Sequence, residues 1–285
     1  MGSLLAVPNV SEGRDPRLID ELARAFDARL LDVHSDPDHH RAVYTLAAPP
    51  GELAPAVLGG ARAAVARIDL NAHEGAHPRI GTIDVAPIVY LDRADRGAAC
   101  AEALVLADLL GADLELPVFL YGELGGGRTR AELRRGGVEA LAPRIESGEL
   151  RPDFGPPRLH PTAGAVLVAA RPPLIAFNVE LAPPATLEDA KAIAAAIREG
   201  GAAGLESVRA IGVWLADRGR AQVSTNVEDH RATPLRAVVE AVAARATVER
   251  AELVGLAPRA AFEGFPDDVP VRGRATIEDA LQNAR

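Results

Sequence analysis

The sequence holds a single cysteine, Cys100, so no disulfide can form within the chain and a stapled secreted scaffold is excluded. Cys100 sits in an apolar run of helical spacing, where a small buried hydrophobe is expected rather than a nucleophile. Lysine is nearly missing: Lys191 is the only one among 31 basic residues. With alanine abundant, this reads as a genome-wide bias, so arginine frequency alone signals no ligand. Acidic residues outnumber basic ones, and a formal charge of -9 argues against a nucleic-acid or anionic-membrane surface. No apolar run approaches the roughly eighteen residues that span a bilayer. The stretch from Met1 to Val10 has neither a basic n-region nor a long apolar h-region. The expectation is a cytoplasmic protein with small-molecule partners, no nucleic acid and no membrane.

What is present suffices for a large core, since 48% of the 285 residues are hydrophobic. Apolar spacing predicts a strand over 3–10, a helix over 17–27, strands over 30–34 and 43–47, a helix ending near Ile68, and a strand over 80–91. A helix over 95–110, a strand over 116–121 and two short helices between 128 and 147 follow. Residues 151–164 form a long loop with four prolines, which pre-order it as a binding wall. A strand over 165–170 ends at Arg171-Pro172-Pro173, the best boundary. Beyond it the rhythm repeats: strand 174–181, helix 187–198, a hairpin of 208–216 and 221–227, helix 233–245 and strand 252–256. The predicted class is α/β (α+β), with two ferredoxin-like βαββαβ subdomains, residues 1–172 and 173–285, and a substrate cleft between them.

Chemistry concentrates in His73-Glu74-Gly75-Ala76-His77-Pro78-Arg79-Ile80-Gly81-Thr82-Ile83-Asp84, a turn that feeds an apolar strand. His73-Glu74-Gly75-Ala76-His77 fits the zinc-protease pattern of two imidazoles one helical turn apart. That pattern needs a helix, and Gly75 within it and Pro78 after it oppose one. Arg41 and Arg79 are natural partners for the carboxylates of an amino-acid substrate, although either can equally be a surface ion pair. Asp84 either orients an imidazole or pairs with Arg79 as a structural carboxylate. His39 and His40, beside Asp36 and Asp38, are expected in a solvated loop.

Val7-Pro8-Asn9-Val10-Ser11-Glu12-Gly13-Arg14 resembles the opening of the formimidoyltransferases. The His73–Pro87 stretch resembles that family's H-x-G-x-H-P-R-x-G-x-x-D-V-x-P block. Pro152-Asp153-Phe154-Gly155-Pro156, Leu174-Ile175-Ala176-Phe177-Asn178, Ala221-Gln222-Val223-Ser224-Thr225-Asn226 and Glu252-Leu253-Val254-Gly255-Leu256 are similar to later blocks, in the same order. The resemblance covers nearly the whole chain and implies the transferase part alone, without a cyclodeaminase domain. It implies transfer of a formimino group from N-formimidoyl-L-glutamate or a similar donor to tetrahydrofolate as co-substrate, within histidine degradation, by a homodimer. His77 is the implied catalytic histidine. Gly155, Pro156, Pro157, Arg158, Leu159, His160, Pro161, Thr162, Ala163 and Gly164 are the implied folate contacts, and no metal is implied.

The chain departs from the family where an acidic residue, an asparagine, a lysine and a glutamate are usual. Here stand His34, His40, Glu74 and Ala76. The extra imidazoles keep open a metal-dependent C–N hydrolase built on His34, His39, His40, His73 and His77. A folate-binding protein without transfer activity is a third reading. For transfer, the incoming amine must lose a proton and the departing nitrogen must gain one, which a histidine can serve near neutral pH.

Overall fold

The computed structural model describes residues 3–75 and 79–283. The chain divides into two compact units, 1–172 and 173–285. In the first, Pro8 has no N–H for a ladder and splits the opening strand into β1 (Leu4–Ala6) and β2 (Asn9–Val10). Helix α1 (Pro16–Ala25) starts with proline at its first position, and the Asp15 carboxylate accepts the Arg17 and Leu18 amides. Helix α1 is thus capped by Asp15. Its buried face, Ile19 and Leu22, packs beside Phe26 and the fully buried Tyr44. Each such side chain contributes about 1.5–3 kcal/mol on burial.

The hairpin of β3 (Arg29–Asp36) and β4 (Arg41–Ala48) precedes α2 (Leu53–Arg67) and β5 (Ile83–Val89). The N-cap of α2, Glu52, makes no side-chain bond. Instead Glu102, on α3 (Arg96–Asp113), is 5% exposed and accepts the Gly51 and Ala54 amides. A carboxylate there also suits the positive end of the helix dipole. After α3 come β6 (Val118–Leu120), α4 (Arg130–Leu133), α5 (Gly137–Glu146) and β7 (Val166–Arg171).

The strands run β3, β4, β1 with β2, β5, β7, β6 across one sheet. The first four lanes are antiparallel and have the ferredoxin-like order, the motif's fourth strand beside its first. Strands β7 and β6 extend it in parallel, an addition the sequence pattern did not indicate. That extension is covered on both faces, by α3 on one and by Leu133, Leu141 and Ile145 on the other. This explains the unbroken apolar runs of its strands.

In the second unit, β8 (Ile175–Leu181), α6 (Leu187–Ile197), β9 (Val208–Leu215), β10 (Arg220–Val227), α7 (Leu235–Ala243) and β11 (Val248–Val254) form the same split motif. Short β12 (Val271–Arg272) pairs parallel to β11, and α8 (Ile277–Asn283) follows. The order is β12, β11, β8, β10, β9. Phe177, Val179, Val223 and Leu253 pack against α6 and α7 in a core of their own. Asn178, Glu180, Gln222 and Glu252, on the alternate positions, are each buried to 2% exposure or less. Glu180 pairs with Arg218 at 2.9 Å and Arg250 at 3.3 Å, and Glu252 pairs with Arg272. Buried carboxylates need such partners. Among the described residues, no helix is long and apolar enough to cross a membrane.

Candidate functional site

Strand β2 runs antiparallel to β4 and β5, and β5 runs parallel to β7. The C-terminal end of β2, the β3–β4 turn and the segments entering β5 and β7 therefore meet at one end of the first sheet. The Ser11-Glu12-Gly13 opening ties them together. Ser11 donates its hydroxyl to the Gly81 carbonyl at 2.8 Å and its amide to the Thr82 carbonyl at 2.8 Å. Glu12 accepts the Arg14 and Asp15 amides at 2.7 and 3.0 Å and lies 3.4 Å from His40 Nε2. Gly13 has no room for a side chain, because a Cβ there would stand 2.4 Å from the Arg41 amide nitrogen and the Asp36 carbonyl oxygen.

The β3–β4 turn is not the solvated loop expected from its charges. Asp36, Asp38 and His39 are 3%, 8% and 3% exposed, and Asp36 accepts the His39 amide at 2.9 Å. The turn is met on two sides, His39 and His40 by segment 73–75, and Asp36 and Pro37 by Gly13 and Arg14. His40 adopts a left-handed backbone with φ of 49°. Asparagine tolerates that conformation best among residues with a side chain, and histidine is also enriched there. The imidazoles of His40 and His73 stack at 4.0 Å with planes 14° apart.

Each ring faces a carbonyl of the other segment, so each contacting nitrogen is a donor. His40 Nδ1 donates to Glu74 O at 2.7 Å, and His73 Nε2 donates to His40 O at 2.9 Å. These bonds leave His40 Nε2, which faces Glu12, and His73 Nδ1 as the ring nitrogens not committed to those carbonyls. Burial pushes His73 down to about 4, so it stays neutral near neutral pH. Its Nδ1 has no hydrogen-bond partner among the described residues. Segment 73–75 follows a short 3-10 turn, Leu70–Ala72, and is not helical. Ala76, His77 and Pro78 lie outside the described residues, so the position assigned to the catalytic histidine is not described.

Arg79 donates to the Gly75 carbonyl at 3.3 Å and to that of His73, bracing the segment that leads to His77. Desolvation lowers its pKa. Asp84 is 2% exposed; it accepts the Ile80 amide at 2.8 Å and pairs with Arg134, not with Arg79. Arg41 begins β4 near this carboxylate. Desolvation lowers it to about 10; the charges of Asp84 and Asp36 oppose the shift, while those of Arg134 and Arg130 add to it. Sequence reasoning missed Arg134, which lies fifty residues from Asp84 in the chain. His34 lies on β3 opposite Val43.

The loop assigned to folate is bonded to the same end of the sheet. Gly81 bridges Gly164, the Thr82 amide donates to Ala163 O at 2.9 Å, and the Leu70 amide donates to Thr162 O at 2.7 Å. His160 Nδ1 accepts the Ala163 amide at 3.0 Å and closes the turn 160–164. Ala163 is 1% exposed, whereas Pro157, Arg158 and Pro161 are turned to solvent, Arg158 in an outward pair with Glu115 at 3.1 Å. Among the described residues, no group of three or more His, Cys, Asp or Glu side chains is placed to hold a metal ion.

One end of the first sheet thus gathers imidazoles, guanidiniums and a proline-rich loop. Residues 3–171 match the family model described as the formiminotransferase domain, N-terminal subdomain, and residues 176–264 match the formiminotransferase domain. The chain is 36% identical over 276 residues to the glutamate formimidoyltransferase of Thermoplasma acidophilum, covering 92% of this chain and 90% of that one. It is 34% identical over 268 residues to the Streptococcus pyogenes protein of the same name, covering 90% and 89%. With the formimidoyltransferase-cyclodeaminase of Sus scrofa it shares 38% identity over 271 residues, 88% of this chain and 49% of that one, so it spans about half the length of such relatives. The chain belongs to the formimidoyltransferase family.

Proposed function

We propose that the chain transfers a formimino group from N-formimidoyl-L-glutamate, or a closely similar amino-acid donor, to tetrahydrofolate, with His77 as general acid and base. One observation carries the reading most strongly. The segment leading into and out of His77 and the loop assigned to folate are a single backbone-bonded assembly, through the Gly81–Gly164 bridge and the Thr82–Ala163 bond. Backbone bonding between the two segments supports a reading in which a proton-transfer group and its acceptor are held together.

In the reaction, the folate amine attacks the amidine carbon and forms a tetrahedral centre. His77 takes the proton released by the attacking nitrogen and returns it to the amino-acid nitrogen, whose bond to carbon then breaks. In this reading Arg41 holds a donor carboxylate, while Arg79 keeps the His73 and Gly75 carbonyls in place. A cytoplasmic homodimer is the working form this reading expects, and sedimentation measures it.

The test is a transfer assay with purified chain, N-formimidoylglutamate and tetrahydrofolate, following formation of 5-formimidoyltetrahydrofolate. Turnover is expected in the wild type, and His77→Ala should lower kcat by about 10² to 10⁴ while tetrahydrofolate affinity is retained. Absence of turnover with any formimino amino acid, or full activity in His77→Ala, overturns the reading.

A further inference from the structure

We propose that Arg134 is a binding residue for the carboxylate of the amino-acid donor, completing the pocket that Arg41 begins; this rests on the transfer reading above. Asp84 cannot itself meet a ligand readily, because one of its oxygens accepts the Ile80 amide at 2.8 Å and the other accepts Arg134. It is 2% exposed and acts as the positioning residue beneath the guanidinium. Arg134 keeps 13% of its side chain accessible, so its position is edge-on to solvent and not sealed in the core.

Two observations point to a missing anion. Arg134 Nε is buried and has no hydrogen-bond partner among the described residues. An N–H of a charged group left desolvated and unbonded is costly, and a ligand oxygen would relieve it. The second is that Arg134 acts on Arg41 as a like charge, so two guanidiniums share one locality that an anion would favour. A carboxylate supplies the acceptor and the charge together, and the guanidinium fork offers it parallel donors.

Removing Arg134 alone would leave Asp84 buried and uncompensated, so the test pairs two variants. Arg134→Gln combined with Asp84→Asn replaces the ion pair by a neutral pair of similar shape. Arg134→Lys keeps the charge beside Asp84 but loses the fork. In the double variant, KM for the formimino donor should rise about ten- to hundredfold, the worth of a charge-assisted hydrogen bond. In Arg134→Lys it should rise severalfold. In both, kcat should stay within a fewfold and KM for tetrahydrofolate should be unchanged. A merely structural Arg134 predicts the reverse, with the double variant recovering the wild-type donor KM, and that result overturns the proposal. If the double variant does not fold, a wild-type donor KM in Arg134→Lys overturns it equally. Should the wild type turn over no formimino donor, the transfer reading fails and calorimetric titration with glutamate decides. Binding by the wild type that weakens at least tenfold in the variants supports the pocket; equal binding, or none by the wild type, overturns it.

Discussion

Two residues separate what side-chain identity reveals from what only folding reveals. His73 was legible as part of a titratable cluster, but its protonation state was not, because that depends on burial against His40. With its folded value depressed from 6.5 to about 4, the unfolded chain binds a proton the folded chain excludes across that window. Stability contributed by the neutral ring is therefore fully present above about pH 6.5 and falls as pH drops toward 4, by at most about 3 kcal/mol. His73→Gln keeps a donor for the His40 carbonyl and does not titrate. Denaturant unfolding at stepped pH should show a shallower decline for His73→Gln than for the wild type, and parallel profiles would refute the burial argument. Arg134 was invisible for a different reason. It stands in a charged helical stretch, Arg130–Arg135, that reads as a solvated face, and nothing local links it to Asp84.

At the level of elements, the helices and most strands follow from apolar spacing, and the family-like blocks follow from the sheet pleat. Ala221 and Val223 enter the core while Gln222 takes the opposite face, which is why polar and apolar residues alternate there. The β3–β4 turn was misread because charge suggested water. Its burial comes from segments distant in the chain on both sides, a tertiary effect that local composition does not carry. Gly81 shows how tightly these pieces are fitted. A Cβ at this position would stand 1.7 Å from the Ala165 carbonyl oxygen, a backbone atom that cannot move without breaking the bridge to the 160–164 turn. Gly81→Ala should destabilise the chain by about 1–3 kcal/mol or more, read from the midpoint of chemical unfolding, and a wild-type midpoint would show that the bridge yields freely.

Over the whole molecule, the repeated βαββαβ rhythm was legible because each repeat alternates apolar periods of two and about 3.6. The extension of the first sheet was not, since pairing partners in a parallel arrangement leave no local trace. Each unit carries its own apolar core, with Phe177, Leu215, Val238 and Leu253 fully buried in the second. Residues 173–285 expressed alone are therefore expected to give a cooperative thermal transition with mixed α/β circular dichroism. A featureless melt would show that its core is not self-sufficient.

Strand β7 occupies the lane between β5 and β6 although it is made after both. During synthesis, a nascent chain that has not yet released residues 166–171 from the ribosome holds two unfilled hydrogen-bonding edges, one on the wholly buried Ile83–Val89 strand and one on Val118–Leu120. Such edges are the sticky intermediates of translation. A pause after β6 has emerged but while residues 166–171 are still within the ribosome would leave the first unit at its most vulnerable to chaperone capture and aggregation, and release of that one strand would close the gap.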